Sequence, residues 1–224
     1  MNVAVVRTPG SNCDQDALHT LRDVIGVQAE YVWHRESSLE GFEAVVIPGG
    51  FTYGDYLRGG AIAALSPIVA EVKRFADEGK PVIGICNGFQ ILTEAGILPG
   101  ALVRNEGRRF LSREVYLKAM NTDSWWTRGI ERPLKIHIAH NEGRYIADDD
   151  TLAMLAAENR IAFLYCEADG SVLPTSAPNG SSKGIAGVLN QKGNVLGMMP
   201  HPERGAAEIL GNIDGRAILD RLAG

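Results

Sequence analysis

The stretch PVIGICNGFQIL, residues 81–92, predicts a β-strand over 81–85, a tight turn at Cys86 and a helix over 89–95. This is the G-x-nucleophile-x-G pattern of a strand-to-helix turn, with cysteine where many hydrolases have serine. A glycine two residues to either side lets the backbone turn sharply, so the thiol stands at the tip of the strand. The N-terminus of the next helix favours a thiolate there. The pattern therefore predicts a cysteine nucleophile in an α/β fold.

The first half of the chain repeats the alternation of strand and helix. Short β-branched runs occur at 3–6, 27–33 and 44–47, with helical patterns at 14–24 and 61–77 between and after them. Pro67 lies inside the second helical pattern, where we expect a bend or a restart. This order is typical of a parallel sheet covered by helices on both faces.

The pattern changes after Gly96. Alternating runs at 101–105, 113–120 and 135–139 predict an antiparallel extension of the main sheet, with a loop at 121–133. The runs 184–189 and 195–199 then predict a hairpin, followed by a helix near 214–222. Because no repeat or low-complexity linker divides the chain, we expect residues 1–224 to form one domain.

Composition restricts the class of protein. The chain has 45% hydrophobic residues, and its net charge of −5 is spread along the sequence, which argues against nucleic-acid binding. Three cysteines imply no disulfide framework, so we expect a reducing compartment, the cytoplasm. The apolar run 61–70 is well short of the roughly 18 residues of a membrane span, so we expect no membrane association. No signal peptide is evident.

A candidate base for the cysteine lies in MPHPER, residues 199–204. The prolines flanking His201 restrict the backbone, and Pro202 favours an extended conformation at His201, in which residues two apart project to the same side. Glu203 can then face the imidazole, orient it and stabilise its charged form. We therefore predict a catalytic triad of Cys86, His201 and Glu203.

Attack by sulfur on a carbonyl develops negative charge, which backbone N–H groups must meet. One predicted donor is the N–H of Asn87, directly after the nucleophile. The other is the N–H of Gly50, in the loop that follows the strand 44–47. Taken singly, each of these features also has an ordinary interpretation, such as a core cysteine or a structural histidine. Cys13 and Cys166 lack flanking glycines and are interpreted as packing residues.

Two other kinds of site are not supported. The loop 49–60 is rich in glycine but lacks the Lys and Ser or Thr of an ATP-binding P-loop. His137 and His140 are three apart on a predicted strand and so face opposite sides, which argues against a metal site. We expect neither a metal nor a cofactor on this chain.

Four motifs together point to a family: GGFTYGDYLRGG (49–60), GICNGFQIL (84–92), HNEGRY (140–145) and MMPHPER (198–204). This set closely resembles the class I (triad) glutamine amidotransferases. Within them it is most similar to the PurQ-type glutaminase subunits of phosphoribosylformylglycinamidine (FGAM) synthase. The resemblance covers essentially the whole chain. It departs at Asn141, where the family pattern is expected to have glycine.

The resemblance implies a flavodoxin-like, three-layer α/β/α fold with a mainly parallel sheet. It implies hydrolysis of L-glutamine to glutamate and ammonia through a thioester on Cys86, with Gln90 as a substrate contact. The ammonia would pass to a PurL-type synthetase subunit that carries ATP and Mg and converts formylglycinamide ribonucleotide, in purine biosynthesis leading to IMP. A small PurS-type subunit is a further expected partner.

Exposed tryptophan and arginine are favoured at interface centres, so Trp125 and Trp126, beside Arg128, are candidate anchors for that assembly. The alternative is that the two tryptophans pack under their loop. Two other functions stay open from the residues alone. One is a thiol hydrolase of the DJ-1/PfpI-like type, which would share the cysteine turn but is not expected to carry the His-Pro-Glu motif. The other is a non-catalytic flavodoxin-like binding module.

Overall fold

The computed structural model describes residues 1–224 and contains eleven strands and five α-helices. The strands are β1 (Asn2–Arg7), β2 (Gln28–Trp33), β3 (Ala44–Ile47), β4 (Val82–Ile85), β5 (Ala101–Val103), β6 (Leu111–Ala119), β7 (Leu134–His140), β8 (Arg144–Ile146), β9 (Ile161–Cys166), β10 (Ile185–Leu189) and β11 (Val195–Met198). The helices are α1 (Asp14–His19), α2 (Pro67–Asp77), α3 (Asn87–Glu94), α4 (Asp149–Ala157) and α5 (Arg216–Leu219). None of them combines the length and apolar character that a membrane crossing requires.

Nine strands form one sheet in the order β2-β1-β3-β4-β11-β10-β9-β6-β7. Strands β2, β1, β3, β4 and β11 run parallel, and the pairs from β11 through β7 are antiparallel. Every residue of β3, β4 and β11 is buried, as expected for parallel strands covered on both faces. The structure thus confirms the flavodoxin-like α/β/α fold with its antiparallel extension.

The helices follow the predicted pattern, except that residues 61–66 lie outside α2. Helix α1 packs on β1 and β2, and α3 packs on β3, β4 and β11. Ser66 is extended and α2 begins at Pro67, so the proline restarts the helix rather than bending it. This fits the preference of proline for the first helical turn, where its missing N–H has no helical partner to lose.

Part of the prediction for the second half is wrong. Strand β5 is shorter than the predicted run, and it pairs with β8 in a separate two-stranded sheet instead of joining the main one. Strands β8 and β9 and helix α4 were not predicted from the sequence. The aspartate at position 148 could have predicted the start of α4, because aspartate is favoured at helix N-caps. In the structure its side chain accepts a hydrogen bond from the Thr151 N–H at 2.8 Å.

The two tryptophans do not form an exposed pair. Trp126 is completely buried, and its indole N–H donates to the carbonyl of Asn194 at 2.9 Å. Trp125 is half-buried and packs edge-on against Trp126, with ring centroids 4.6 Å apart. The prediction that both anchor an interface is therefore wrong for Trp126, which packs under its loop as the alternative states.

The antiparallel extension curls back towards the parallel strands. The N–H of His201, just after β11, donates to the carbonyl of His137 on β7 at 2.8 Å, although β7 is the far edge strand of the sheet. Coiling of a twisted antiparallel sheet allows this return. As a result, the end of β7 lies over the ends of the parallel strands and forms one wall of the site described next.

Candidate active site

Cys86 occupies a strained turn between β4 and α3. Its φ of 52° and ψ of −105° lie in a region that residues with side chains rarely adopt. The turn depends on close packing of its neighbours: a Cβ at Gly88 would overlap the carbonyl oxygen of Ile47 at the end of β3. Cys86 itself is only 6% exposed, and what is exposed lines a cavity. The sulfur lies 3.8 Å from the carbonyl oxygen of Ala139 on β7.

His201 and Glu203 form a buried pair. His201 is extended, as the flanking prolines predict, and its Nδ1 lies 2.6 Å from Oε1 of Glu203. Both side chains are 1% exposed. Burial alone would disfavour the imidazolium, but the charges of Glu203 and Cys86 outweigh it and raise the pKa of His201 to about 10. Nε2 has no hydrogen-bond partner in the protein, so it is free to exchange a proton.

Gly49 shows how closely the nucleophile and the imidazole approach each other. A Cβ at this glycine would lie 2.7 Å from Cε1 of His201 and 3.3 Å from Cβ of Cys86. These residues follow β3, β4 and β11, three neighbouring parallel strands whose carboxyl ends meet at one edge of the sheet. That edge is where such folds bind ligands. The structure therefore brings together Cys86, His201 and Glu203.

The two predicted backbone donors are also available at this edge. Neither the N–H of Gly50 nor that of Asn87 donates a hydrogen bond within the chain. Gly50 lines the same cavity as Cys86. Asn87 begins α3, where the first backbone N–H groups of a helix have no helical partner. Both N–H groups are therefore free to donate to a ligand.

The cavity next to Cys86 measures about 260 Å³, and Gln90 lies in its wall. The Gln90 amide is buried, donating to the carbonyl of Glu142 at 2.7 Å and accepting from the side chain of Asn87 at 2.7 Å. Gln90 is therefore not a solvent-exposed residue of α3. Its contacts instead hold the segment after β7, which includes Asn141, against the nucleophile turn.

Cys13 belongs to the same surroundings, which its interpretation as a packing residue did not anticipate. It is buried, and its sulfur lies within 4.8 Å of side-chain atoms of both His201 and Glu203. Burial and the charge of Glu203 raise the pKa of the Cys13 thiol to about 12. A guanidinium N–H of Arg204 donates to its sulfur at 3.2 Å. The available signal was its place after β1, at the same sheet edge.

Metal binding is poorly supported by these residues. Cys13, His201 and Glu203 are the one group with metal-like spacing, but a protonated thiol beside the Arg204 guanidinium does not suit a cation. The side chains of His137 and His140 lie on opposite faces of β7. Their rings contact Ser112 and Asn105, respectively. Cys166 is buried at the end of β9, where burial raises its pKa to about 11.

Comparison with known proteins places these features in a family. Residues 1–216 match the CobB/CobQ-like glutamine amidotransferase domain. The chain is 48% identical over 225 residues to the phosphoribosylformylglycinamidine synthase subunit PurQ of Methanosarcina acetivorans, covering 100% of this chain and 97% of that one. It is 49% identical over 220 residues to the same subunit of Salinibacter ruber, with coverages of 97% and 94%.

A solved structure agrees with the sequence comparisons. A chain in the structure of PurLQS from Thermotoga maritima superposes with a TM-score of 0.86 at 41% identity, covering 99% of this chain and 97% of that one. The match therefore extends over the whole fold, including the three strand ends that carry the site. The chain belongs to the CobB/CobQ-like glutamine amidotransferases and, within them, to the PurQ subunits of phosphoribosylformylglycinamidine synthase.

Proposed function

We propose that this chain hydrolyses L-glutamine to glutamate and ammonia as the glutaminase subunit of an FGAM synthase. The observation that carries the proposal is the convergence of Cys86 and the His201–Glu203 pair at one edge of the sheet, beside a cavity lined by Cys86 and Gly50. Family membership sets aside the two alternatives, a DJ-1/PfpI-like thiol hydrolase and a non-catalytic binding module.

The first half of the reaction forms the acyl-enzyme. The Cys86 thiolate attacks the side-chain amide carbon of glutamine, and the developing oxyanion accepts hydrogen bonds from the N–H groups of Gly50 and Asn87. Protonated Nε2 of His201 gives its proton to the leaving nitrogen, so ammonia departs and a γ-glutamyl thioester remains. The raised pKa of His201 supports this role, because the imidazole is charged at neutral pH when the cycle begins.

The second half releases glutamate. His201, now neutral, takes a proton from a water molecule, which attacks the thioester carbon and expels the Cys86 sulfur. Glu203 keeps the imidazole in one tautomer and one orientation throughout, since its carboxylate contacts Nδ1. Glutamate then leaves, and the imidazolium and thiolate are restored. We further propose that Gln90 contributes to the substrate site through the loop it holds.

Ammonia released into bulk water would largely be protonated and lose its nucleophilicity. Direct transfer to a second active site is therefore the useful outcome. We propose that a PurL-type synthetase subunit receives it and carries the ATP and Mg for the conversion of formylglycinamide ribonucleotide, with a PurS-type subunit completing the assembly. The similarity to a chain of the PurLQS structure from Thermotoga maritima supports these partners. Three free cysteines support a reducing cytoplasmic location.

The decisive variant is Cys86→Ala, assayed in the reconstituted complex. We expect glutamine-dependent synthesis to disappear while synthesis from added ammonium salt continues at the wild-type rate. The matched control is Cys166→Ala, which removes another buried cysteine and should retain glutamine use. A Cys86→Ala complex that still consumes glutamine would refute the proposal.

A further inference from the structure

The active-site cavity is lined by three charged side chains besides its catalytic groups: Asp55, Arg104 and Glu142. Two of them already have partners. One oxygen of Glu142 accepts from the N–H of Gly59 at 3.1 Å, and the other lies 3.5 Å from Nε of Arg104. Asp55 differs, because it makes no ion pair and its buried Oδ1 has no hydrogen-bond partner.

The surroundings of Asp55 disfavour its negative charge, so a bound cation would stabilise the carboxylate. Burial, together with the nearby charge of Glu142, raises the pKa of Asp55 to about 6. The nearest basic residue in sequence, Arg58, is committed to Glu94 through two hydrogen bonds, at 2.5 and 2.7 Å. Arg104, the basic side chain of the same cavity, contacts Glu142, and no basic side chain forms an ion pair with Asp55.

His140 adds a second unsatisfied acceptor to the same cavity wall. It is 2% exposed, and its Nδ1 lies 3.1 Å from Oδ1 of Asn105. The Asn105 NH₂ donates to two backbone carbonyls, so Oδ1 must accept, and the His140 proton sits on Nδ1. Burial lowers the pKa of His140 to about 4, which keeps the ring neutral. Nε2 is then a buried lone pair without a donor.

Two acceptors in this cavity wall, Oδ1 of Asp55 and Nε2 of His140, therefore receive no hydrogen bond from the protein. They suit a ligand group that is cationic and carries several N–H donors. We propose that Asp55 binds the α-ammonium group of the substrate amino acid and thereby selects glutamine over carboxamides that lack this group. The inference rests on the proposed glutaminase function and deepens it. An ammonium group offers three donors and a full positive charge, which would satisfy the Asp55 carboxylate directly.

The test compares two substrates in the reconstituted complex, with ammonia release as the readout. L-Glutamine carries the α-ammonium group, whereas 4-carbamoylbutanoate keeps the carboxamide and carboxylate but lacks it. For Asp55→Asn we expect KM for glutamine to rise about 30-fold, the loss of one charged hydrogen bond, with kcat changed by less than about threefold. The same variant should use 4-carbamoylbutanoate as well as the wild type does.

Two further variants serve as a second test and as a control. Asp55 has a φ of 52°, which asparagine and glycine both tolerate, so Asp55→Gly preserves the backbone and should repeat the result. Asp150→Asn, on the exposed first turn of α4, is the matched control and should behave as wild type. An equal loss for both substrates, or an unchanged KM for glutamine, would overturn the inference. A wild-type complex that releases no ammonia from glutamine would instead overturn the proposed function itself.

Discussion

Gly49 stands between the imidazole of His201 and the nucleophile, so Gly49→Ala tests the geometry of the site directly. Its φ is not in the left-handed region, and an alanine backbone is therefore unstrained there. The new Cβ would lie 2.7 Å from Cε1 of His201. Non-bonded carbons normally stay about 3.5–4.0 Å apart, so the ring would have to move by about 1 Å. Its 2.6 Å contact with Glu203 opposes that shift.

A displacement of about 1 Å in a catalytic group costs on the order of 100-fold in rate. We therefore expect glutamine-dependent ammonia release by the assembled complex to fall about 100-fold in kcat/KM. Overpacking should also lower the free energy of unfolding by about 1–3 kcal/mol, measured by denaturant titration. Synthesis from added ammonium salt should continue, because the synthetase subunit is unchanged.

Gly107→Ala is the matched control, since a Cβ at Gly107 would meet nothing within 4 Å. We expect it to keep both the activity and the stability of the wild type. If Gly49→Ala hydrolyses glutamine at the wild-type rate while the protein stays folded, the argument that His201 is held against Cys86 during catalysis is refuted.

Three other substitutions or treatments test the remaining parts of the site and the core. Glu203→Gln removes the negative charge that raises the pKa of His201, so the alkaline limit of kcat at saturating glutamine should move to lower pH; an unmoved limit in the pH–rate profile would contradict this. Iodoacetamide at neutral pH should alkylate Cys86 alone, because the raised pKa of Cys13 keeps that thiol protonated. Mass spectrometry of the protein labelled in its native state identifies the modified cysteines, and labelling of Cys13 would contradict this prediction. Trp126→Phe should lower the free energy of unfolding by about 1–3 kcal/mol, because the buried hydrogen bond to Asn194 is lost. Association with the synthetase subunit should stay unchanged, and weaker binding in a titration would show that Trp126 does contribute to the interface.

Much of the site follows from residues that are neighbours in the chain. The turn at Cys86 depends on glycines two residues away, and the pairing of His201 with Glu203 depends on the intervening proline. Such local constraints act over a few residues, so they are visible in the sequence as spacing. For the same reason β3 occupies the predicted residues, 44–47, and β4 differs from its prediction by one residue.

Burial and long-range pairing were harder to predict. Tryptophan is a residue type favoured at interfaces, but the indole N–H of Trp126 donates to the backbone carbonyl of Asn194, 68 positions away. Strand β5 pairs with β8, more than forty residues later, through three residues on each side. A run of three residues carries too little periodicity to identify a strand or to choose its partner.

The sequence by itself determined the parallel α/β fold, the cysteine turn and the His-Pro-Glu pair, because backbone stereochemistry and hydrophobic periodicity act locally. Only the tertiary structure decided what surrounds them. The return of β7 over the strand ends, the place of Cys13 beside the imidazole, and an Asp55 carboxylate without a counter-charge all arise from segments far apart in the chain. Burial and electrostatics depend on distances in space, which spacing along a sequence does not specify.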